Sequence, residues 1–85
     1  MFSGRAWAEY LHWQGDADRL AKVNKLLEEC RRHPFTGTGK PEPLRGTWAG
    51  FWSRRISGEH RLVYRITGKS ADQQLEVAQC RYHYD

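Results

Sequence analysis

Glu42 is the sole acidic residue between Glu29 and Glu59, and it lies between Lys40 and Arg45 in a stretch crowded with proline and glycine. A carboxylate in that position can take a proton from a hydroxyl. His83, within Arg81-Tyr82-His83-Tyr84, carries an imidazole that titrates near neutrality and can give a proton back. Arg55 and Arg61 carry guanidinium groups, which grip phosphate through paired N–H donors. These are the parts that RNA phosphodiester cleavage requires: a base for the 2′-hydroxyl, an acid for the leaving 5′-oxygen, and cations for the phosphorane. Each residue also has a plainer reading. Glu42 fits a surface ion pair, His83 an exposed chain end, His60 a hairpin corner, and His12 and His33 helix faces or ends. Trp48, Phe51, Tyr82 and Tyr84 could stack on bases or pack inward, and Trp7, Trp52 and Tyr64 are assigned to the core.

Other chemistries lack their motifs. The chain has no P-loop, dinucleotide fingerprint, HExxH helix or Gly-x-Ser-x-Gly elbow, so neither a metal nor a nucleotide cofactor is expected. Cys30 and Cys80 are too few and too far apart for a disulfide framework or a zinc site. With 85 residues the chain makes one small domain, 1–85. A mean hydropathy of −0.85 predicts solubility. The absence of an apolar stretch long enough for a signal peptide or a membrane span makes the cytoplasm the expected location.

Charge narrows the partner. Residues 31–65 hold eight cationic side chains against Glu42 and Glu59, a balance of +6 in a chain whose net charge is +4. Such a basic segment suits nucleic acid, and it suits an ordinary solvated surface equally well.

The elements that must position these residues come from periodicity. Ala6–Trp13 reads as a helix. Asp16 or Asp18 can cap a second helix running to Arg32, with Leu20, Val23, Leu26, Leu27 and Cys30 as its apolar stripe. Pro34 stops it, and Arg31 and Arg32 suit the helix end. Residues 34–50 read as loop. Phe51–Ile56, His60–Thr67 and Gln74–Tyr82 read as three antiparallel strands, with Leu75 and Val77 on one face of the last and Ala78 and Cys80 on the other. The result is an α+β domain, two N-terminal helices packed on a small antiparallel sheet. The first hairpin has two possible registers. A two-residue turn pairs Arg55 with Leu62, whereas a three-residue turn pairs Arg55 with Arg61 and sets two guanidinium groups side by side, which is unfavourable without an anion between them.

Arg32-His33-Pro34-Phe35-Thr36-Gly37-Thr38-Gly39-Lys40-Pro41-Glu42-Pro43-Leu44, Gly50-Phe51-Trp52-Ser53-Arg54-Arg55-Ile56, Glu59-His60-Arg61-Leu62-Val63-Tyr64 and Arg81-Tyr82-His83-Tyr84, in that order, resemble YoeB toxins of the RelE superfamily over residues 6–84. The resemblance implies a RelE/YoeB-like, microbial-RNase-like fold with a mainly antiparallel twisted sheet. It implies a ribosome-dependent mRNA endoribonuclease that cleaves in the A site, needs no cofactor, and is the toxin of a type II pair. Glu42 would be the general base, His83 the general acid, Arg61 the holder of the scissile phosphate with Arg55 beside it, and Tyr84 a shaper of the site. Lys40, Arg45 and Arg54 would contact mRNA or rRNA backbone. A YefM-like antitoxin, the ribosome and a second copy of the chain are the implied partners. The competing reading is a non-catalytic module that binds nucleic acid or the antitoxin. The family opens with a short apolar strand where this chain has Met1-Phe2-Ser3, and its closing tyrosine is followed here by Asp85.

Overall fold

Ser3 caps the first helix, α1 (Gly4–His12), by accepting from the Ala6 N–H at 3.0 Å, and a 3₁₀ turn at Trp13–Gly15 succeeds it. Asp16 is the aspartate that caps α2 (Ala17–Arg32), its Oδ1 accepting from the Arg19 N–H at 3.0 Å. Both caps satisfy N–H groups that the first helical turn leaves unpaired. The computed structural model describes residues 1–83. Tyr84, assigned to the site by resemblance, and Asp85 lie outside the described residues.

Four strands, β1 (Glu42–Pro43), β2 (Trp52–Arg55), β3 (Arg61–Thr67) and β4 (Gln74–Gln79), form one antiparallel sheet in chain order. β1 falls inside the segment read as loop. It is two residues long and its proline sits on the sheet edge, where a missing N–H breaks no central ladder. Met1–Ser3 runs parallel to β4, with Val77 N–H donating to the Met1 carbonyl at 2.8 Å and Ser3 N–H donating to the Val77 carbonyl at 2.9 Å. Met1–Ser3, short as it is, is therefore paired backbone.

The core lies between the helices and one sheet face. Val23, Leu26 and Cys30 of α2 meet Ile56, Leu62, Tyr64 and Val77. Complete burial of Leu26 and Leu62 contributes about 1.5–3 kcal/mol each. Trp13 belongs to this core and donates its indole N–H to the Cys80 carbonyl at 2.8 Å. Trp7 does not, being 50% exposed. α1 turns Ala6 and Glu9 inward, the turn after it adds Trp13, and Trp7 falls beside that stripe, stacked on Tyr10.

A register shift alters the expected facing of β4. Val63 pairs with Gln79 while Tyr64 pairs with Val77, so the strand carries one extra residue at Ala78. The bulge rephases the remainder of the strand. Cys80 joins Val77 in the core rather than opposing it, and the ladder ends at Gln79, short of Tyr82.

Candidate functional site

The sheet face turned away from the helices carries Glu42, Arg55 and Arg61. Glu42 pairs with Ser53, Ser53 with Val63, and Val63 with Gln79, giving one row across four strands. Ser53, Val63 and Gln79 are buried, and Glu42 at the outer end is exposed. On the same face the next pairing is Arg55 with Arg61. The hairpin has adopted the three-residue turn, with Ile56 N–H donating to the His60 carbonyl at 3.0 Å. Arg55 is exposed. Arg61 is half-buried and folds one amino group back over the turn, where Nη1 donates to the carbonyls of Ser57, Gly58 and His60.

Glu42 is delivered by a loop that is held along its length. Arg55 N–H donates to the Gly39 carbonyl at 2.7 Å, and both Gly39 and Lys40 have left-handed backbone, φ 87° and 51°. An added Cβ at Gly39 would stand 3.0 Å from the Arg55 carbonyl oxygen, so glycine is required there on two counts. Lys40 and Arg45 are exposed on either side of Glu42, and Glu42, Pro43, Leu44 and Arg45 line an open depression of about 520 Å³.

Arg54 has a different place from the one expected. It is completely buried, and so is not positioned to touch a nucleic-acid backbone. Its Nη2 donates to the carbonyls of His33 and Thr36, its Nη1 to that of Thr38 at 3.1 Å, and its Nε to the Tyr64 hydroxyl at 3.2 Å. Tyr64 in turn donates to the Pro34 carbonyl. Glu29 supplies the counter-charge, 3.6 Å from Arg54, and accepts from the Thr38 N–H at 2.9 Å. That hydrogen bond, more than the guanidinium, holds the Glu29 carboxyl below its ordinary range. Arg54 thus ties the loop that leads to Glu42 onto the core. Strict alternation along β2 already implied this, because Trp52 and Ile56 share a face and Arg54 lies between them.

At the other edge the chain end returns to β3. Arg61 N–H donates to the Tyr82 carbonyl at 3.0 Å, and Tyr82 N–H donates to His60 Nδ1 at 2.8 Å. His83 is the next residue and is exposed. The axes of β1 and β4 are three strand spacings apart, about 14 Å, and the Arg55–Arg61 pair lies between them. Sequence reasoning gave His60 only a turn role and missed its bond to the tail, which joins residues 22 apart and has no periodic signature.

The basic segment resolves into two groups. Arg31 and Arg32 pair with Glu28, Arg54 is internal, and Arg65 pairs with Glu76 at 2.7 Å and lies over the Phe51 ring. Lys40 and Arg45 are exposed in the loops around Glu42, and Arg55 and Arg61 lie opposite one another on the open face. Both cysteines are free and buried, and burial pushes their thiols up to about 11 for Cys30 and about 12 for Cys80. Among the described residues no three His, Cys, Asp or Glu side chains are grouped to hold a metal ion, and no helix is long and apolar enough to cross a membrane.

A helical hairpin backing one face of a small antiparallel sheet, with Arg55 and Arg61 paired on the other, makes this a basic α+β domain. The chain belongs to the YoeB-like toxins of bacterial type II toxin–antitoxin systems, whose family profile matches residues 2–84. It is 51% identical to Toxin YoeB of Escherichia coli (strain K12), over 99% of this chain and 96% of that protein. The solved YoeB/ParE toxin from Agrobacterium tumefaciens superposes with a TM-score of 0.96 at 50% identity, covering 99% of this chain and 97% of the other. Staphylococcus aureus YoeB, solved as a dimer and in a YoeB–YefM complex, superposes with TM-scores of 0.86 and 0.85 at 40% and 38% identity, covering 99% of this chain and 94% of that one in each case.

Proposed function

We propose that this toxin is a ribosome-dependent mRNA endoribonuclease that cuts the A-site codon and stops translation. The observation that carries the reading is the Arg55–Arg61 pairing. Two guanidinium-bearing residues directly opposite one another repel unless an anion lies between them, and a phosphodiester is the anion that the flanking Glu42 and His83 can act on. Glu42 takes the proton from the 2′-hydroxyl, whose oxygen attacks phosphorus. Arg61 and Arg55 stabilise the charge that gathers on the phosphorane. His83 gives a proton to the departing 5′-oxygen, leaving a 2′,3′-cyclic phosphate and a 5′-hydroxyl. Tyr84 shapes the site beside His83, and Lys40 and Arg45 hold the mRNA or rRNA backbone. A YefM-like antitoxin neutralises the toxin, which pairs with a second copy of itself, and it acts in the cytoplasm.

The test is a toeprint on ribosomes programmed with a defined mRNA. The expected result is a new 5′ end within the A-site codon, lost with Glu42→Gln and with His83→Ala. Binding of the protein with steep salt dependence but no cleavage would replace this reading with that of a non-catalytic nucleic-acid-binding module.

A further inference from the structure

We propose that His60 is a positioning residue for the terminal acid: as a neutral imidazole it fixes the Tyr82 peptide through Nδ1, and its protonation releases that peptide together with His83. The inference rests on the acid role proposed for His83. Nδ1 accepts the Tyr82 N–H at 2.8 Å, so that nitrogen carries no proton. On the other side of the same residue, the Tyr82 carbonyl accepts from Arg61 N–H at 3.0 Å and from Gln79 Nε2 at 3.4 Å. Tyr82 is thereby held in left-handed backbone, φ 63°, which a non-glycine residue keeps only when its surroundings impose it. His83 is the next residue, so the direction in which the chain leaves Tyr82 decides where its imidazole can reach.

The surroundings of His60 favour its neutral form. The ring packs edge-on against Trp13 at 4.9 Å and lies tilted against the Tyr82 ring at 5.8 Å. Burial is the main cause that lowers its pKa below the ordinary histidine value. Arg19 of α2, Arg81 of the tail and His12 at the end of α1 act in the same direction, while Glu59 of its own turn opposes them. An imidazolium here would present a second donor to the Tyr82 N–H and break the bond. The two histidines therefore have opposite needs: His83 must carry a proton to act, and His60 must not.

Two variants separate the acceptor from the ring. In His60→Asn the amide oxygen occupies much the place of Nδ1 and accepts without titrating. His60→Leu keeps bulk without an acceptor. In amide spectra of the whole protein, the wild-type Tyr82 N–H should shift with the His60 ring on the acid side of about pH 6.5, and in His60→Asn it should not. In single-turnover cleavage on programmed ribosomes, His60→Leu should slow the reaction about tenfold or more, and His60→Asn should stay within about threefold of wild type. Wild type should also lose rate relative to His60→Asn as the pH falls below that of His60 titration. A Tyr82 amide that ignores His60, or a folded His60→Leu protein that cleaves like wild type, would overturn the proposal. If wild type cleaves nothing, the proposed function falls, and the amide titration alone decides whether His60 anchors the tail.

Discussion

Arg54 and Tyr64 meet inside the core, the guanidinium Nε donating to the phenol oxygen at 3.2 Å while the phenol donates onward to the Pro34 carbonyl. Burial pushes the Tyr64 hydroxyl up to about 12, so it stays protonated and keeps that second bond across the working range. The pair joins the sheet to the loop that leads to Glu42. Arg54→Gln should cost about 3–5 kcal/mol, because it leaves Glu29 and the loop carbonyls without their cation. Tyr64→Phe should cost about 1–3 kcal/mol by stranding a buried donor and acceptor. Urea unfolding measures both. A stable Arg54→Gln protein with weakened RNA binding would return Arg54 to the backbone-contact role that the resemblance implied.

Arg55 and Arg61 predict a conflict between stability and function. Removing one of two opposed cations should relieve repulsion, so Arg55→Gln should raise the free toxin's stability by a few tenths of a kcal/mol, up to about 1. The same change should slow mRNA cleavage about tenfold or more, since it takes charge from the phosphorane. Salt should stabilise wild type more than the variant, because screening weakens only a repulsion that is present. Equal loss of stability and activity would mean that Arg55 is a structural residue.

Gly39 is the backbone counterpart. Its carbonyl receives the Arg55 N–H, its φ is positive, and a Cβ would press on the Arg55 carbonyl oxygen at 3.0 Å. Gly39→Ala should cost about 1–3 kcal/mol and reduce cleavage by shifting Glu42. Gly58→Ala, where a Cβ meets nothing within 4 Å, should stay within about 0.5 kcal/mol of wild type. Thermal melts with a parallel cleavage assay check both, and an unaffected Gly39→Ala protein would show that the loop adapts.

Features that repeat or are local were legible in the sequence. The stripe of α2, its aspartate cap, the two long strands and the lone carboxylate of the proline-rich loop come from spacing and residue type. The hairpin register stayed open because two turn lengths fit the same residues. Only the pairing of His60 with Ile56 chose between them. Trp7 was misplaced because the inward face of α1 is set by a small residue, Ala6, and a buried carboxylate, Glu9, neither of which a hydrophobic pattern selects. Glu9 accepts from the Cys80 N–H at 2.9 Å, a contact 71 residues apart, and it was invisible for the same reason as the His60–Tyr82 bond. Arg54 was misplaced because the resemblance set it among the backbone contacts, against the alternation that puts it on the core face of β2. The bulge at Ala78 broke an alternation that was otherwise read correctly.

Glu29 makes the loop's attachment depend on pH. Its carboxylate accepts from Thr38 N–H and faces Arg54, and in the folded protein its pKa lies below the ordinary value of 4.5. A depressed carboxyl stabilises the fold above the unfolded pKa, and that stability is lost as the pH falls through the folded value. The loop should therefore hold at neutral pH and loosen on the acid side of pH 4.5, before the helix–sheet core does. Glu29→Gln should remove this acid sensitivity and loosen the loop at neutral pH as well, because an amide is a weaker acceptor than a carboxylate. Hydrogen exchange at the Thr38 amide, monitored from neutral pH downward in both proteins and corrected for the intrinsic rate, reads the effect directly. A Thr38 amide equally protected in wild type and Glu29→Gln at neutral pH would sink the argument. It would mean that Arg54 alone secures the loop that carries Glu42.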